Sequence, residues 1–392
     1  MAHLPDTAET TVSALLAQQV NAGHCPGALA HVERAGQVLA RHAVGLVGPD
    51  TGAAMHDGVR FRVASLTKPV VTVAALMLVD EGRLELDAPV ASSLPELQDL
   101  RLVGGQRPAR APTVRDLMRH TSGLAYPHEI NDAALRAAWA SAGFAPAMSG
   151  LDEAAFLARL ARLPLVAEPG SAFRYGYSTD VLGCVVARLA GEPLGAVLKR
   201  RIFTPLGMLN TGFQVSADMP DDLLASALPC DTAWHATVPA IGRRAPGQPG
   251  MDSGGGGLVS TLDDYAAFAR WLAGGARGAG GSRGAGKPES SSPALLSADL
   301  MAELARNQLP PGVDGPANYC GPGFGFGLGL AVRHDWGPAA MPCHAGELCW
   351  SGISGTAMFV HPPTRWFALL FSANMASRMV CRLAFRWAAA RL

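Results

Sequence analysis

Segments with the alternating pattern of β-strands lie near both ends of this chain, and a long middle region lacks them. Residues 27–34 and 36–46 flank the turn sequence Ala35-Gly36 and are predicted to form a β-hairpin. A strand needs partners for its backbone N–H and C=O groups. We therefore expect the hairpin to share one sheet with four strands predicted near the C-terminus, at residues 327–333, 339–344, 355–361 and 365–373.

The middle of the chain is rich in short helical patterns and loops. Thr113 is placed to cap one short helix, and a helix predicted at residues 179–190 should end at Gly191. Amphipathic helices are also expected at residues 11–21 and 376–392.

These patterns together predict an α+β fold. Residues 1–85 and 250–392 should form an antiparallel sheet flanked by helices, and residues 86–249 an inserted, mostly helical domain. A binding cleft is expected at the junction of the two domains.

Composition and charge exclude some partners. The 392 residues are 49% hydrophobic and carry no net formal charge. A nucleic acid or an anionic membrane would call for a clustered basic field, so neither is an expected partner. Residues 1–11 lack the basic and apolar regions of an export signal, and no apolar run is long enough to span a bilayer. We therefore expect a cytoplasmic protein.

The seven cysteines include no C-x-x-C pair and are predicted to be reduced thiols of a cytoplasmic protein. The sequence from Cys343-His344 through Glu347 to Cys349 suggests a metal site, but it does not supply four ligands at zinc-like spacing. Buried strand residues followed by a loop are the preferred interpretation. We expect neither a metal nor a cofactor.

Ser65-Leu66-Thr67-Lys68 places a hydroxyl one helical turn before a lysine, at the predicted start of an apolar helix. The chain has only three lysines, and an ammonium can lose its proton near neutrality whereas a guanidinium cannot. Residues i and i+3 share a helix face, so Lys68 could activate Ser65 as a nucleophile. The tetrapeptide alone leaves a second interpretation open, in which Ser65 is a helix cap and Lys68 a solvated cation.

Residues 274–292 consist largely of Gly, Ala, Arg and Ser without apolar periodicity, and are predicted to be a flexible surface insertion. They contain a G-x-S-x-G match around Ser282. That motif requires a preceding strand and a following helix, and neither pattern flanks Ser282, so we do not expect it to be a nucleophile.

From about residue 12 to about residue 375, the chain resembles the serine β-lactamase and penicillin-binding-protein superfamily. Within it, the resemblance is to the family VIII carboxylesterases, which are related to class C β-lactamases. The motifs that carry it, in order, are Ala64 to Pro69, Asp80 to Val90, Leu117 to Leu124, Pro169 to Tyr175, Asp180 to Gly183, Gly254 to Leu258 with Ser260-Thr261, and His344 to Gly346.

The resemblance implies a serine hydrolase with a β-lactamase/DD-peptidase-like fold and assigns catalytic roles. Ser65 would be the nucleophile, and Tyr175, held by Lys68, would be the base. The unperturbed pKa of a phenol is about 10, so a phenol becomes a base only next to a cation. Tyr177 is the competing candidate for the base. The oxyanion would be held by the backbone N–H groups of Ser65 and Ile353.

The chain departs from the β-lactamases at two positions. Their K-T-G motif is replaced by Trp350-Ser351-Gly352, and the Asn of their Y-x-N motif is replaced by Tyr177. Loss of the lysine removes a charge-assisted contact to a substrate carboxylate, worth roughly 1.5 to 3 kcal/mol. With Tyr126 as a further expected pocket residue, these changes predict a pocket that prefers neutral acyl esters as its small-molecule substrates.

Other functions on the same scaffold stay open. They are a β-lactamase or D-amino-acid peptidase, an acyltransferase that passes the acyl group to an alcohol, and, from a different class, a non-catalytic ligand-binding protein. His120 also suggests a serine-histidine arrangement, but with Lys68 and Tyr175 assigned we expect a structural histidine that forms hydrogen bonds.

Overall fold

The computed structural model describes residues 8–144, 150–215, 220, 224–226, 250–274, 294–334 and 337–392, with side chains from residue 12 onward. The predicted Gly-rich insertion, apart from Gly274, and Ser282 lie outside the described residues. Nine strands lie within these ranges. They are β1 (Gly27–Arg34), β2 (Gln37–Gly45), β3 (Arg60–Arg62), β4 (Val259–Thr261), β5 (Phe324–Phe326), β6 (Ala331–Arg333), β7 (Leu348–Ser351), β8 (Ala357–His361) and β9 (Trp366–Ser372).

Seven strands form one antiparallel sheet in the order β2-β1-β9-β8-β7-β6-β5, and β3 pairs with β4 in a separate ribbon. The sheet is drawn from both ends of the chain because β1 pairs with β9, from Ala28 opposite Ser372 to Arg34 opposite Trp366. The predicted α+β fold with an antiparallel sheet is confirmed. Every residue of β9 is buried, so both faces of the sheet are covered there.

The N-terminal hairpin has the turn that its sequence predicts. Ala35 and Gly36 adopt φ angles of 51° and 89° and connect Arg34 to its partner Gln37. Two consecutive residues with positive φ are typical of a type I′ turn, whose twist matches that of the paired strands.

The predictions for two of the four C-terminal strands were wrong. Residues 339–344 form no strand, and Pro338 and Pro342 lack the N–H groups that a sheet requires. The strand lies further on, at β7. Residues 327–333 also do not form one strand, because a turn closed by the hydrogen bond from Gly327 N to Leu330 O at 2.8 Å separates β5 from β6.

In the described part of the middle region the regular elements are helices and helical turns, and other helices cover the sheet. α1, α9 and α12 contact the sheet, and α2 contacts α6. A π-helical turn, Lys199–Phe203, joins α7 to α8. The helices are α1 (Ala8–Asn21), α2 (Thr67–Asp80), α3 (Val114–Met118), α4 (Ala133–Ser141), α5 (Glu153–Leu160), α6 (Ser178–Ala190), α7 (Leu194–Leu198), α8 (Thr204–Leu206), α9 (Leu262–Gly274), α10 (Ala298–Ala305), α11 (Ala317–Cys320) and α12 (Arg378–Ala389).

The predicted helix ends agree with the structure at two positions. Thr113 caps α3, since Asp116 N donates to its hydroxyl at 3.2 Å. α6 ends at Gly191, which adopts φ 71° as a left-handed C-cap. No single helix in the described ranges is both long and apolar enough to cross a membrane, and only the bent pair Ser178–Ala190 with Leu194–Leu206 meets those criteria when counted together.

Candidate active site

Ser65 lies in a tight 3₁₀ turn between β3 and α2. The residue before it, Ala64, has φ 47° and is buried. A non-glycine residue in this left-handed region is strained, and such strain is often found at functional sites. The N-cap of α2 is Leu66 and makes no side-chain cap. The helix-capping interpretation of Ser65 is therefore wrong.

Lys68 is fully buried in the first turn of α2, so it is not the solvated cation of that interpretation. Its Nζ donates to the backbone oxygen of Gly255 at 2.6 Å, to Ser65 Oγ at 3.3 Å and to Tyr126 Oη at 3.3 Å. An ammonium has three N–H groups, and all three have an acceptor here. Lys68 is thereby held directly beneath the Ser65 hydroxyl.

Tyr175 Oη donates to Ser65 Oγ at 2.7 Å. Lys68 Nζ lies over the Tyr175 ring, 4.6 Å from its centroid, and Trp350 Nε1 donates to Tyr175 Oη at 3.4 Å. Lys68 and Tyr175 are therefore connected in two ways. Both hydrogen bond to the Ser65 hydroxyl, and the Lys68 ammonium lies over the face of the Tyr175 ring.

The loop that carries Tyr175 is fixed by its backbone. Tyr126 N donates to Tyr175 O at 3.0 Å, and Arg174 N donates to His120 O at 2.8 Å. The next residue is Gly176, where an added Cβ would lie 2.4 Å from Leu124 O. Glycine at 176 therefore allows the Tyr175 loop to approach the neighbouring chain closely.

Tyr177, the competing candidate, forms part of the pocket wall. Its ring stacks on Trp139 with centroids 5.9 Å apart and meets the Tyr126 ring edge-on at 4.7 Å. Burial raises the pKa of Tyr177 above its usual value, which disfavours the phenolate. Of the described phenols, Tyr175 alone is hydrogen bonded to Ser65.

The turn after β7 brings Ile353 to the cavity. Ser65 and Ile353 both line it, and within the described residues neither backbone N–H has a hydrogen-bond acceptor. The turn is tied to the chain before Ser65, because Ser354 Oγ donates to Arg62 O at 2.5 Å and Thr356 Oγ1 to Val63 O at 3.0 Å. Two backbone donors without acceptors, on residues that line one cavity, suit an oxyanion.

Asp180, Ser253 and Gly255 form a hydrogen-bonded group next to Lys68, and the sequence motifs assigned no role to this group. Asp180, at the start of α6, accepts from Ser253 Oγ at 2.6 Å and from Gly255 N at 3.0 Å. Gly255 in turn accepts the Lys68 bond. Burial raises the pKa of Asp180, while Lys68, Ser253 and Gly255 act against that rise. Asp180 thus positions the carbonyl that holds Lys68.

The cavity above Ser65 has a volume of about 220 Å³. Pockets for drug-sized ligands typically measure about 300 to 1,000 Å³, so this one suits a smaller molecule. It is lined by all five predicted pocket residues, and the lining residues that the sequence did not predict include Tyr319, Arg378 and Arg382. The predicted pocket residues found there are Tyr126, Tyr177, Trp350, Ser351 and Gly352.

His120 does not form the hydrogen bonds that we predicted. It is fully buried, and neither ring nitrogen has a partner within the described residues. Its ring packs against Tyr175, Phe173 and Phe326, with centroids 4.8 to 5.8 Å apart. Burial and the charge of Lys68 hold the pKa of His120 well below its usual value. A neutral aromatic ring at this position supports Tyr175 by packing.

The residues of the suggested metal site have other partners. Glu347 Oε2 accepts from Arg386 Nη2 at 2.5 Å, and Cys349 Sγ lies 3.8 Å from Cys320 Sγ. Glu347 and Cys349 are buried in and beside the sheet, in accordance with the preferred interpretation.

Comparison with known proteins agrees with the motifs. Residues 12–391 match the Beta-lactamase family. Esterase EstB from Burkholderia gladioli is 35% identical over 350 residues, 85% of this chain and 82% of that protein. Acyltransferase calJ from Penicillium decumbens is 29% identical over 376 residues, 85% of this chain and 80% of that protein.

A solved structure described as EstCE1, a hydrolase with promiscuous acyltransferase activity, has a TM-score of 0.82 and 28% identity, and the match covers 98% of each chain. The resemblance to the esterase branch is confirmed. Because the family match spans nearly the whole chain, this protein belongs to the Beta-lactamase family.

Proposed function

We propose that this chain is a serine carboxylesterase that hydrolyses small to medium acyl esters through an acyl-enzyme on Ser65. The observation that carries the proposal is the pair of hydrogen bonds to Ser65 Oγ, from Tyr175 Oη at 2.7 Å and from Lys68 Nζ at 3.3 Å. A serine hydroxyl is a weak nucleophile until a neighbouring base can take its proton.

In the reactive form Tyr175 has lost its proton to solvent and is a phenolate. In the first half of the reaction, Ser65 Oγ attacks the ester carbonyl carbon and the proton of Ser65 passes to the phenolate oxygen of Tyr175. The carbonyl oxygen becomes an oxyanion, which the N–H groups of Ser65 and Ile353 stabilise, each by about 2.7 to 4 kcal/mol. The bond to the alcohol oxygen then breaks, and the leaving alkoxide takes the proton from Tyr175.

In the second half, a water molecule attacks the acyl-enzyme and gives its proton to Tyr175. Release of the acid breaks the bond to Ser65 Oγ, which regains that proton. The ammonium of Lys68, 4.6 Å from the centre of the Tyr175 ring, stabilises negative charge on the phenol in both halves.

The relatives support ester hydrolysis over β-lactam hydrolysis. EstB is named an esterase, EstCE1 is described as a hydrolase, and Trp350 occupies the place of the β-lactamase lysine. Ser65 is hydrogen bonded to both Lys68 and Tyr175, and the Lys68 ammonium lies over the Tyr175 ring. A non-catalytic binding protein would not require this arrangement.

The proposal is tested with a short-chain 4-nitrophenyl ester and a chromogenic cephalosporin, assayed side by side on the wild type and Ser65→Ala. We expect ester cleavage that is lost in Ser65→Ala and little cephalosporin turnover. Ser141→Ala, which changes an exposed serine on α4, is the matched control and should keep full activity. A phosphonate ester should label Ser65. Label on another residue with Ser65 unmodified would contradict the mechanism.

A second candidate function is acyl transfer, because calJ is named an acyltransferase and EstCE1 is described with that activity. Both reactions share the acyl-enzyme and differ in whether water or an alcohol releases it. Product analysis with a competing alcohol would distinguish them. Ester product in excess of free acid would favour the transferase.

A cytoplasmic location is a further part of the proposal. Cys320 and Cys349 lie in contact as free thiols, which is consistent with a reducing compartment. Alkylation of the denatured protein isolated without reductant should modify both.

A further inference from the structure

Two arginines of α12 line the same cavity as Ser65. Arg378 and Arg382 are four residues apart, so they lie on one face of the helix. Neither was expected at the site from the sequence. The cavity that contains Ser65 is therefore lined by two positively charged residues.

Arg382 is buried without an anion. Arg382 is only 6% exposed, and its Nε has no acceptor within the described residues. Its Nη1 donates to Met379 Sδ at 3.4 Å. A thioether is a weak acceptor. Burial lowers the pKa of Arg382 to about 10, so the group stays charged at neutral pH. A buried unpaired charge is costly, and an anion from outside the protein would offset that cost.

Arg386, one turn further along α12, is a buried arginine whose charge is paired within the protein. It is 1% exposed, and Glu347 Oε2 lies 2.5 Å from its Nη2. The guanidinium also lies over the rings of Phe359 and Trp366. The chain thus supplies a carboxylate and two aromatic faces to Arg386, and no carboxylate within the described residues forms an ion pair with Arg382.

Asp180, which lines the cavity, and Glu129, next in the chain to the lining residue His128, have other partners. Asp180 accepts from Ser253 and Gly255, and Glu129 accepts a hydrogen bond from the Tyr319 hydroxyl. Neither carboxylate forms an ion pair with the α12 arginines. Arg378 Nη1 donates to the backbone oxygen of Met375, which leaves its charge unpaired by a carboxylate within the described residues. The positive charge on this side of the cavity is therefore available to a ligand.

Resting on the proposed ester hydrolysis at Ser65, we propose that Arg382 and Arg378 form an anion subsite and that the esters selected by this cavity carry a carboxylate. The subsite would replace, from a different element, the cation lost at Trp350. It differs from our sequence-based expectation of neutral substrates, which considered the K-T-G position alone. The carboxylate could belong to the acyl part or to the alcohol part of the ester.

Matched substrates test the subsite. For the acyl side, 4-nitrophenyl hydrogen glutarate is compared with 4-nitrophenyl pentanoate. For the alcohol side, 4-acetoxybenzoate is compared with its methyl ester. In at least one pair we expect the wild type to prefer the carboxylate by about ten- to a hundredfold in kcat/KM, the range for a hydrogen bond to a charged group. That pair also identifies the part of the ester that reaches α12.

Arg382→Met should reduce that preference at least about tenfold, and Arg382→Lys should restore part of it. Arg391→Met removes an exposed arginine just beyond α12 and should leave the preference unchanged. Arg378→Met provides a second test if Arg382→Met does not fold. Glutarate should also inhibit hydrolysis of the neutral ester by the wild type competitively, and added salt should weaken the inhibition.

Equal kcat/KM values within both pairs, or a preference that survives in both arginine variants, would overturn the anion subsite. Such results would leave the proposed esterase intact, since the neutral esters are still cleaved. Absence of hydrolysis of every ester, with Ser65 unlabelled by a phosphonate, would instead overturn the proposed function.

Discussion

Tyr175 Oη lies 2.7 Å from Ser65 Oγ, although 110 residues separate the two in the chain. Ser65 is placed by the turn into α2, and Tyr175 by a loop that is hydrogen bonded to the backbone at Tyr126 and His120. The proposed nucleophile and its base thus come from two separate segments. Small changes in the backbone of either segment should alter catalysis.

The two neighbouring tyrosines provide the sharpest test of the base. Tyr175→Phe removes the hydroxyl bonded to Ser65 and should lower kcat by about 10²- to 10⁴-fold. Tyr177→Phe keeps that bond and should stay within about tenfold of the wild type. Steady-state kinetics with a neutral 4-nitrophenyl ester measures both. The opposite order of effects would move the base to Tyr177.

A side chain added at residue 255 should displace the Gly255 carbonyl that accepts the hydrogen bond from Lys68. A Cβ at Gly255 would lie 2.3 Å from Asp180 Oδ2, so Gly255→Ala should displace the oxygen that holds Lys68 and lower kcat about tenfold or more. Gly256 is the matched control, because its Cβ would meet only backbone atoms of Ala64 at 3.8 to 4.0 Å. Loss of activity in Gly256→Ala but not in Gly255→Ala would contradict this role.

Gly352 should be required for the turn that presents Ile353. A Cβ there would lie 2.5 Å from both Val63 O and Thr356 Oγ1, so Gly352→Ala should cost about 2 kcal/mol or more in the free energy of unfolding and reduce kcat. Gly274→Ala, at the end of α9 with open space around its Cβ, should be neutral or slightly stabilising. Chemical denaturation measures the free energy of unfolding of each variant, and steady-state kinetics measures its kcat. A Gly352→Ala protein with normal stability and turnover would show that the turn adapts.

Asp116 should make stability depend on pH in the acid range. Burial of this carboxylate opposes its ionisation, but bonds from Arg110, Thr113, Thr121 and Arg119 outweigh burial and lower its pKa to about 2. Because the pKa in the folded state lies below that in the unfolded state, the stabilisation is present above about pH 4 and is lost as pH falls through about 2. It amounts to about 2 kcal/mol.

Unfolding midpoints of the wild type and Asp116→Asn, measured from about pH 7 down to about pH 2, should therefore converge at the acid end. Asp87→Asn is the control, since Asp87 forms an exposed ion pair with Arg115 and should contribute less than about 1 kcal/mol. A constant difference between the wild type and Asp116→Asn across this range would show that the ionisation of Asp116 does not contribute.

The local signals in the sequence predicted much of the fold because they act between near neighbours. The Ala35-Gly36 turn, the Thr113 cap and the Gly191 helix end each depend on residues a few positions apart. The prediction of a strand at residues 339–344 failed because alternation alone does not show where prolines and turns interrupt a sheet.

The sequence by itself determined the chemical groups and the family, because Ser65 and Lys68 lie one helical turn apart and the other motifs follow in a fixed order. Only the tertiary structure decided which phenol meets Ser65, which carbonyl holds Lys68 and which arginines enter the cavity. Those contacts join residues far apart in the chain. Their geometry depends on how α2, α6, α12 and β7 pack, and the pattern of any one segment carries no information about that packing.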